Sequence, residues 1–426
     1  MRLHIENVGK ISSADIVIDG ITVIAGPNDA GKSTIGKTLW CIFNGFSRLN
    51  MRVAASKANS IMRAIQDAYF RNRGGMLRLD PLKIAADRMV LNAETLVSDN
   101  ESLRAEILAC AQGLNLRNGE NVDDIVEYSF ERILQILRAP DDSVVEVMLD
   151  NIFNSEFNKQ INNMRTSNAA LVKLKVKNDY LTVSIANNKV HVQEEGVSLQ
   201  AEAIYIDDPY VVDDGRLLGP PDDGERRFAS HRQHLVSDIY NNDFFDEPTA
   251  VDEAIINQKL HSVFNKLSMA VPGEIKTQST RRGLSYHVDG IEEDVDIRNI
   301  SAGMKMFAIL KMLISNGAVQ QNGTLILDEP EIHLHPEWQL LFAEIIVLLQ
   351  KEFGMHILLN THSPYFLRSI EVYSRKHRVA GACHYYFAQK SEDGVRVKDV
   401  TTSTDVIYET LSYPLQKLED DEYGIY

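Results

Sequence analysis

Gly26-Pro27-Asn28-Asp29-Ala30-Gly31-Lys32-Ser33 satisfies the glycine-rich pattern whose backbone wraps a phosphate. A second short motif, Leu325-Ile326-Leu327-Asp328-Glu329-Pro330, begins long after it, and Lys32 and Asp328 are 296 positions apart. An apolar run that ends in two carboxylates reads as a buried strand delivering Asp328 and Glu329 to a sheet edge. Two pieces suited to one site, so widely split, constrain the fold. Both ends of the chain must enter one α/β sheet, with a large insertion between them.

The local context of the first motif is the one it requires. Leu3 and Ile5 alternate with charge, Ala14 to Ile18 form a second short strand, and Ile21 to Ala25 form an apolar third that runs into the loop. Ile35, Leu39, Ile42, Phe43 and Phe46 then recur at helical spacing, so Lys32 opens a helix. Gly26 and Gly31 allow the wrap that points backbone N–H groups at a phosphate, through Asn28, Asp29 and Ala30. The helix N-terminus at Ser33 and Thr34 adds its dipole. Lys32 is expected to reach the β- and γ-phosphates, and the Ser33 hydroxyl to bind Mg²⁺ together with Asp328. Glu329 is the expected general base.

Between the motifs, residues 48–165 read as helices, punctuated at Gly74-Gly75, Asn118-Gly119 and Pro140-Asp141. From 166 to 297 a β-rich and irregular stretch is expected. Its strands show period two, with a hairpin turn at Asn187-Asn188, a strand at Ala203 to Ile206 and an irregular acidic segment over 210–250. One helix follows, carrying Leu260 and Leu267, then two short strands near 273–278 and 284–288. Residues 1–47 and 298–426 supply the two lobes of the main sheet.

With 426 residues, 44% of them hydrophobic and 24% charged, the chain can bury a substantial core. No apolar run approaches the ~18–20 residues that cross a bilayer, and Met1 to Glu6 lacks an apolar leader, so a cytoplasmic place without a membrane partner is expected. Cys41, Cys110 and Cys383 make no metal spacing and read as reduced, buried thiols. A net charge of −16 argues against a wholesale nucleic-acid binder. The local basic cluster Arg226, Arg227, His231, Arg232 and His234 reads as a solvated face.

Two further motifs lie near the second end. Ile357-Leu358-Leu359-Asn360 reads as a strand ending in Thr361-His362-Ser363-Pro364, which places His362 at a sheet edge with Asp328. A neutral imidazole there can meet the γ-phosphate or the attacking water. The helical pattern from Leu340 to Leu349 makes this a strand–helix–strand crossover with a parallel pair. Ser301-Ala302-Gly303-Met304-Lys305 precedes a helix that Ser301 caps.

The succession Ile300-Ser301-Ala302-Gly303, then Leu325 to Pro330, then Thr361-His362-Ser363-Pro364 resembles the signature, Walker B and switch-histidine regions of ABC-type ATPases. The match is best to the soluble OLD, RecF and SMC-like group, and Glu331-Ile332-His333-Leu334-His335-Pro336 is most like the stand-alone ATPases of antiphage systems of the PARIS or Septu type. The resemblance covers roughly 1–45 and 298–370. It implies an ABC-type head, ATP as ligand, and heads that dimerise head to tail. Ser301 and Gly303 would then bind the γ-phosphate held by a second chain, and His333 and His335 would lie at the dimer seam. Met304 departs from the usual Gln or Glu. Gln200 is a weak candidate for the Q-loop glutamine.

The function this implies is an ATP-driven dimeric switch that regulates a separate effector, a nuclease or toxin. About sixty residues follow His362, which is short for the nuclease domain of OLD nucleases, and the sequence shows no H-N-H motif. A DNA-binding RecF- or SMC-like repair ATPase is the alternative, and a transporter subunit a third reading that the long insertion disfavours.

Overall fold

A computed structural model of the chain describes residues 1–71, 79–114, 122–214, 230–240, 250–278, 283–288, 290 and 292–423. The first three strands fall where alternation places them: β1 (Arg2–Val8), β2 (Ile11–Val17) and the wholly buried β3 (Ile21–Ala25). Helix α1 (Lys32–Phe46) follows the glycine loop. Six helices come next: α2 (Leu49–Arg71), α3 (Leu79–Leu91), α4 (Ala93–Ser98), α5 (Asn100–Gln112), α6 (Val122–Arg138) and α7 (Asp141–Glu156). The punctuation expected at Gly74-Gly75 and Asn118-Gly119 lies outside the described residues.

Strands β4 (Ala170–Val176), β5 (Asp179–Ala186) and β6 (Lys189–Glu195) form an antiparallel meander. Asn187 and Asn188 turn between β5 and β6 with φ 53° and 59°, the left-handed pair that a two-residue hairpin needs. Then come β7 (Ala203–Ile206), α8 (His231–Tyr240), α9 (Ala250–Ala270), β8 (Glu274–Gln278), β9 (Gly283–His287), β10 (Val295–Asp296) and α10 (Ala302–Ser315). The chain continues through β11 (Thr324–Asp328), α11 (Pro336–Phe353), β12 (His356–Thr361), α12 (Pro364–Lys376), β13 (Cys383–Ser391), β14 (Gly394–Asp399) and α13 (Asp405–Tyr423).

Among the described residues, eleven strands join one sheet in the order β6-β5-β4-β1-β2-β14-β13-β3-β12-β11-β7. The meander therefore does not stand apart; β4 pairs with β1 and extends the main sheet. Strands β13, β3, β12, β11 and β7 are mutually parallel, and their register sets the site. Ala25 pairs with Thr361, Asp328 with Asn360, and Leu327 with Ile206. The residues that leave these strands at one edge are thus Gly26, His362, Glu329 and Asp207. The edge is where ligands of open α/β sheets bind.

Both faces of this parallel region are covered, which is why its strands are mostly apolar runs rather than alternating. Ile21, Val23, Leu325, Leu327, Ile357 and Leu359 join a core with Phe307 and Leu310 of α10 and Phe342 and Ile346 of α11. On the opposite face, Ile326 and Tyr205 lie under α1 at Gly36.

The chain divides into two compact units. One contains Met1–Ser47, Leu149–Leu218 and Phe228–Tyr426; the other contains Arg48–Met148. The second has its own core, including Ile61, Ile65, Tyr69, Ile107, Ile125, Phe130 and Ile133.

Two expectations change. The 210–250 segment, expected to be irregular, contains the ten-residue α8. The residues expected to form a solvated basic face are instead held by carboxylates. His231 is buried against Glu156 and Asp207, His234 is buried with Nε2 at 2.7 Å from Glu202, and Arg232 pairs with Asp207. Arg226 and Arg227 lie outside the described residues. The three cysteines are buried and unbridged, as expected.

Candidate nucleotide site

The glycine loop is shaped by close approach. A Cβ on Gly26 would lie 2.8 Å from the Ala388 carbonyl of β13, so only glycine lets the loop leave the sheet there. Gly31 has φ 69°, and a Cβ on it would meet Ile11 at 2.9 Å. Asp29 also adopts a left-handed backbone, φ 65°. Its carboxylate pairs with Lys10, which holds it below the usual carboxylate range. Asn28 and Ser33 are exposed, Ala30 is buried, and the Thr34 N–H donates to the Gly31 carbonyl.

Lys32 is nearly buried, 4% exposed, and curls back over its own loop. Its Nζ donates to the carbonyls of Gly26 (3.0 Å) and Pro27 (3.1 Å) and lies 3.1 Å from Glu329 Oε1. Two carbonyl oxygens thus accept from the ammonium, and the Glu329 carboxylate lies at ion-pair distance from it. The two motifs at opposite chain ends meet in this contact.

Glu329 follows β11 in a left-handed conformation, φ 50°, which costs a non-glycine residue on the order of 1 kcal/mol. Its N–H donates to the Asn360 carbonyl at 2.9 Å, which fixes the turn. The carboxylate Oε1 lies 3.3 Å from His362 Nδ1. Asp328 beside it accepts two donors: Asn360 Nδ2 to Oδ1 at 2.9 Å and the Tyr205 hydroxyl to Oδ2 at 3.1 Å. Asn360 Nδ2 also donates to the Lys32 carbonyl at 3.1 Å. One wholly buried amide therefore ties the second motif to the start of α1.

Three residues that sequence reasoning did not single out complete the edge. Asn360 and Tyr205 are described above. Glu331 is buried, accepts from the Thr361 hydroxyl and, at 3.4 Å, from the His362 N–H. Burial pushes its carboxyl up from the ordinary range. Asn360 Oδ1, Glu331 Oε2 and His362 Nδ1 are buried without an aligned hydrogen-bond partner among the described residues. Buried polar atoms in such a cluster need partners from water or a ligand. The exposed Ser33 hydroxyl and the Asp328 carboxylate are hard oxygen donors suited to Mg²⁺, so the residues present fit a Mg²⁺-bound nucleotide.

The Ser301-Gly303 region is built separately. Ser301 Oγ accepts from the Met304 N–H at 3.3 Å and caps α10. A Cβ on Gly303 would lie 3.0 Å from the His333 carbonyl and from Trp338. His333 packs edge-on against Tyr210, and His335 leads into α11. Gly303 thus lies against the turn after β11, whereas the 26–33 loop engages the edges of β11 and β12. Gln200 is not at the nucleotide edge. It precedes β7, is exposed and bonds Ser198, whereas the C-terminal end of β7 presents Asp207 and Asp208.

Residues 1–211 match the family model described as "AAA ATPase domain", and residues 188–368 match the one described as "AAA domain, putative AbiEii toxin, Type IV TA system". Each match spans a little under half of the chain, and both descriptions name an AAA-type domain. Among curated proteins, "Retron Ec83 probable ATPase" of Escherichia coli is 29% identical over 128 residues, 27% of this chain and 23% of that protein, so under a quarter of the relative is spanned. Among solved structures, the SMC head domain from Thermotoga maritima aligns over 94% of this chain and 98% of that one, at 12% identity and TM-score 0.38. An SMC head bound to the C-terminal winged-helix domain of ScpA aligns over 95% and 98%, at 11% identity and TM-score 0.43. The fold is mixed α/β, with strands from both chain ends in one sheet. Among the described residues, no helix is long and apolar enough to cross a membrane.

Proposed function

We propose that this ATPase domain binds ATP with Mg²⁺ along the Gly26–Thr34 loop, hydrolyses it at Glu329, and uses the cycle to clamp and release two heads. The observation that carries the reading is the convergence of Lys32, Glu329 and His362, with Lys32 Nζ and His362 Nδ1 3.1 Å and 3.3 Å from the same carboxylate oxygen. Phosphate oxygens would take over the ammonium of Lys32 from Gly26, Pro27 and Glu329. Glu329, released, can then accept a proton from the attacking water, with His362 beside it to bond the γ-phosphate or that water. Ser33 and Asp328 would hold the cation, which supplies charge neutralisation of the β- and γ-phosphates when bound.

Ser301 and Gly303 open a capped helix whose N-terminus suits an anion. Because Gly303 packs against its own chain's His333 and Trp338 and not against the Gly26–Ser33 loop, we assign the anion at this helix start to nucleotide held by a second head. The similarity to a retron's ATPase supports a head that serves a multi-part system, and we assign the output to a separate effector, a nuclease or toxin, in antiphage defence. Size-exclusion chromatography of Glu329→Gln with ATP tests the clamp and should show a dimer that Lys32→Ala does not form. A monomer in both would refute it. Affinity capture from native cells that recovers no companion, with phage sensitivity unchanged on deletion, would overturn the effector assignment.

A further inference from the structure

We propose that Tyr205 is a positioning residue for Asp328: its phenol fixes the carboxylate that receives the nucleotide's divalent cation, and His231 fixes the phenol. This rests on reading the loop and Asp328 as a Mg²⁺–ATP site.

A carboxylate that must meet a cation at a set geometry needs its torsion held by other donors. Asp328 has two, Asn360 on one oxygen and Tyr205 on the other. Tyr205 is 1% exposed and sits on β7 opposite Ile326 of β11, two residues before Asp328, whose Oδ2 its hydroxyl reaches at 3.1 Å.

The ring is itself fixed. His231 stacks on it with centroids 4.3 Å apart and planes 26° apart. His231 Nδ1 bonds Glu156 Oε1 at 2.7 Å, while Nε2 lies 3.1 Å from Asp207 Oδ2 at ion-pair distance without hydrogen-bond alignment. Glu156 also accepts the His231 N–H and lies 3.5 Å from Lys37 of α1. On the other side, a Cβ on Gly36 would stand 3.2 Å from the Tyr205 hydroxyl. Glycine at that point in α1 leaves the phenol its room.

The test uses the full chain in the Glu329→Gln background, with Mn²⁺ as probe. Mn²⁺ half-saturation is read by electron paramagnetic resonance at saturating ATP, and ATP affinity is read separately in EDTA. Tyr205→Phe keeps the stacked ring and removes one oxygen. It should raise the Mn²⁺ half-saturation about tenfold, the lower end for losing such a partner, and leave ATP affinity in EDTA within about twofold. A role limited to packing would move neither ratio. Gly36→Ala should raise the Mn²⁺ value in the same direction, but by less than about twofold when added to Tyr205→Phe, since the oxygen it displaces is gone. The proposal falls if Tyr205→Phe stays within about twofold while Asp328→Asn abolishes Mn²⁺ binding. If Asp328→Asn also binds Mn²⁺ normally, the underlying site assignment falls instead.

Discussion

Asn360 offers the sharpest perturbation, because one buried amide nitrogen joins both chain ends. In Asn360→Ala two hydrogen bonds vanish, one to the Asp328 carboxylate and one to the Lys32 carbonyl. A bond to a charged group contributes about 1.5–3 kcal/mol and a neutral one about 0.5–1.5, so the loss is about 2–4.5 kcal/mol. Asn360→Asp keeps the shape but turns an oxygen toward two oxygens. Two charges 2.9 Å apart repel by about 6 kcal/mol at an effective dielectric of about 20. Protonating the new carboxyl at pH 7 costs about 4 kcal/mol from an unfolded value near 3.9, so protonation is the cheaper route and caps the penalty. The folded value is raised, so the penalty is present at high pH and fades as pH falls, by about 1.4 kcal/mol per unit between pH 7 and 5. Trp40 and Trp338 both belong to the unit that contains the site, so tryptophan fluorescence during urea unfolding reads its stability. The Asp variant should recover on acidification and the Ala variant should not. A loss below about 1 kcal/mol at pH 7 in the Ala variant, or an Asp-variant loss equally large at pH 5, would refute the bridging role.

Four further outcomes follow from the same geometry. Glu329→Gln should retain ATP and lower steady-state turnover about 10²–10⁴-fold, the range for a general base, whereas Lys32→Ala should lose nucleotide in equilibrium binding. Mixing Ser301→Ala with Lys32→Ala chains should leave one of two composite sites intact and restore part of the turnover that neither variant shows alone; no restoration would count against action in trans. Glu331→Gln should slow turnover more than it weakens ATP binding, because Glu331 holds Thr361 and the His362 N–H; an equal change in both would contradict this. Burial would raise the Glu344 carboxyl, but Lys266, Lys376 and His377 overcome this and hold it to about 2. That stability is present above the ordinary carboxylate range and lost as pH falls toward 2, so Glu344→Gln should flatten the acid limb of a thermal-melt series.

How much of this was legible follows from where each residue's signal lies. Gly26 to Thr34, Asp328 and Glu329 announce themselves because their chemistry is written in adjacent residues, within one strand-to-loop turn. Ser301 was readable as a cap for the same reason, and the structure bonds it to Met304 as a cap should. Asn360, Tyr205 and Glu331 carried no such signal. Each acts on a partner 30 or more positions away: Glu331 on Thr361, Asn360 on Asp328 and Lys32, Tyr205 on Asp328. A sequence shows that Asn360 ends a strand; only the pairing of Asp328 with Asn360 shows what it faces. Gln200, named only as a weak candidate for the Q-loop glutamine, could not be placed from sequence on the same ground. The choice required knowing that β7 neighbours β11 and in which direction it runs. With that register, the edge beyond Asp328 belongs to Asp207 and Asp208, and the histidines of α8 change from a supposed solvated surface into the brace behind them. His231, paired to Asp207 and stacked on Tyr205, is then placed to make the order of the carboxylate edge depend on the seating of α8. Loosening α8 with Ile239→Ala, a buried position remote from the nucleotide edge in sequence, should cost about 2–5 kcal/mol of stability. If α8 braces the edge, the same variant should also raise the Mn²⁺ half-saturation while ATP affinity in EDTA holds; stability loss alone would leave α8 a packing element.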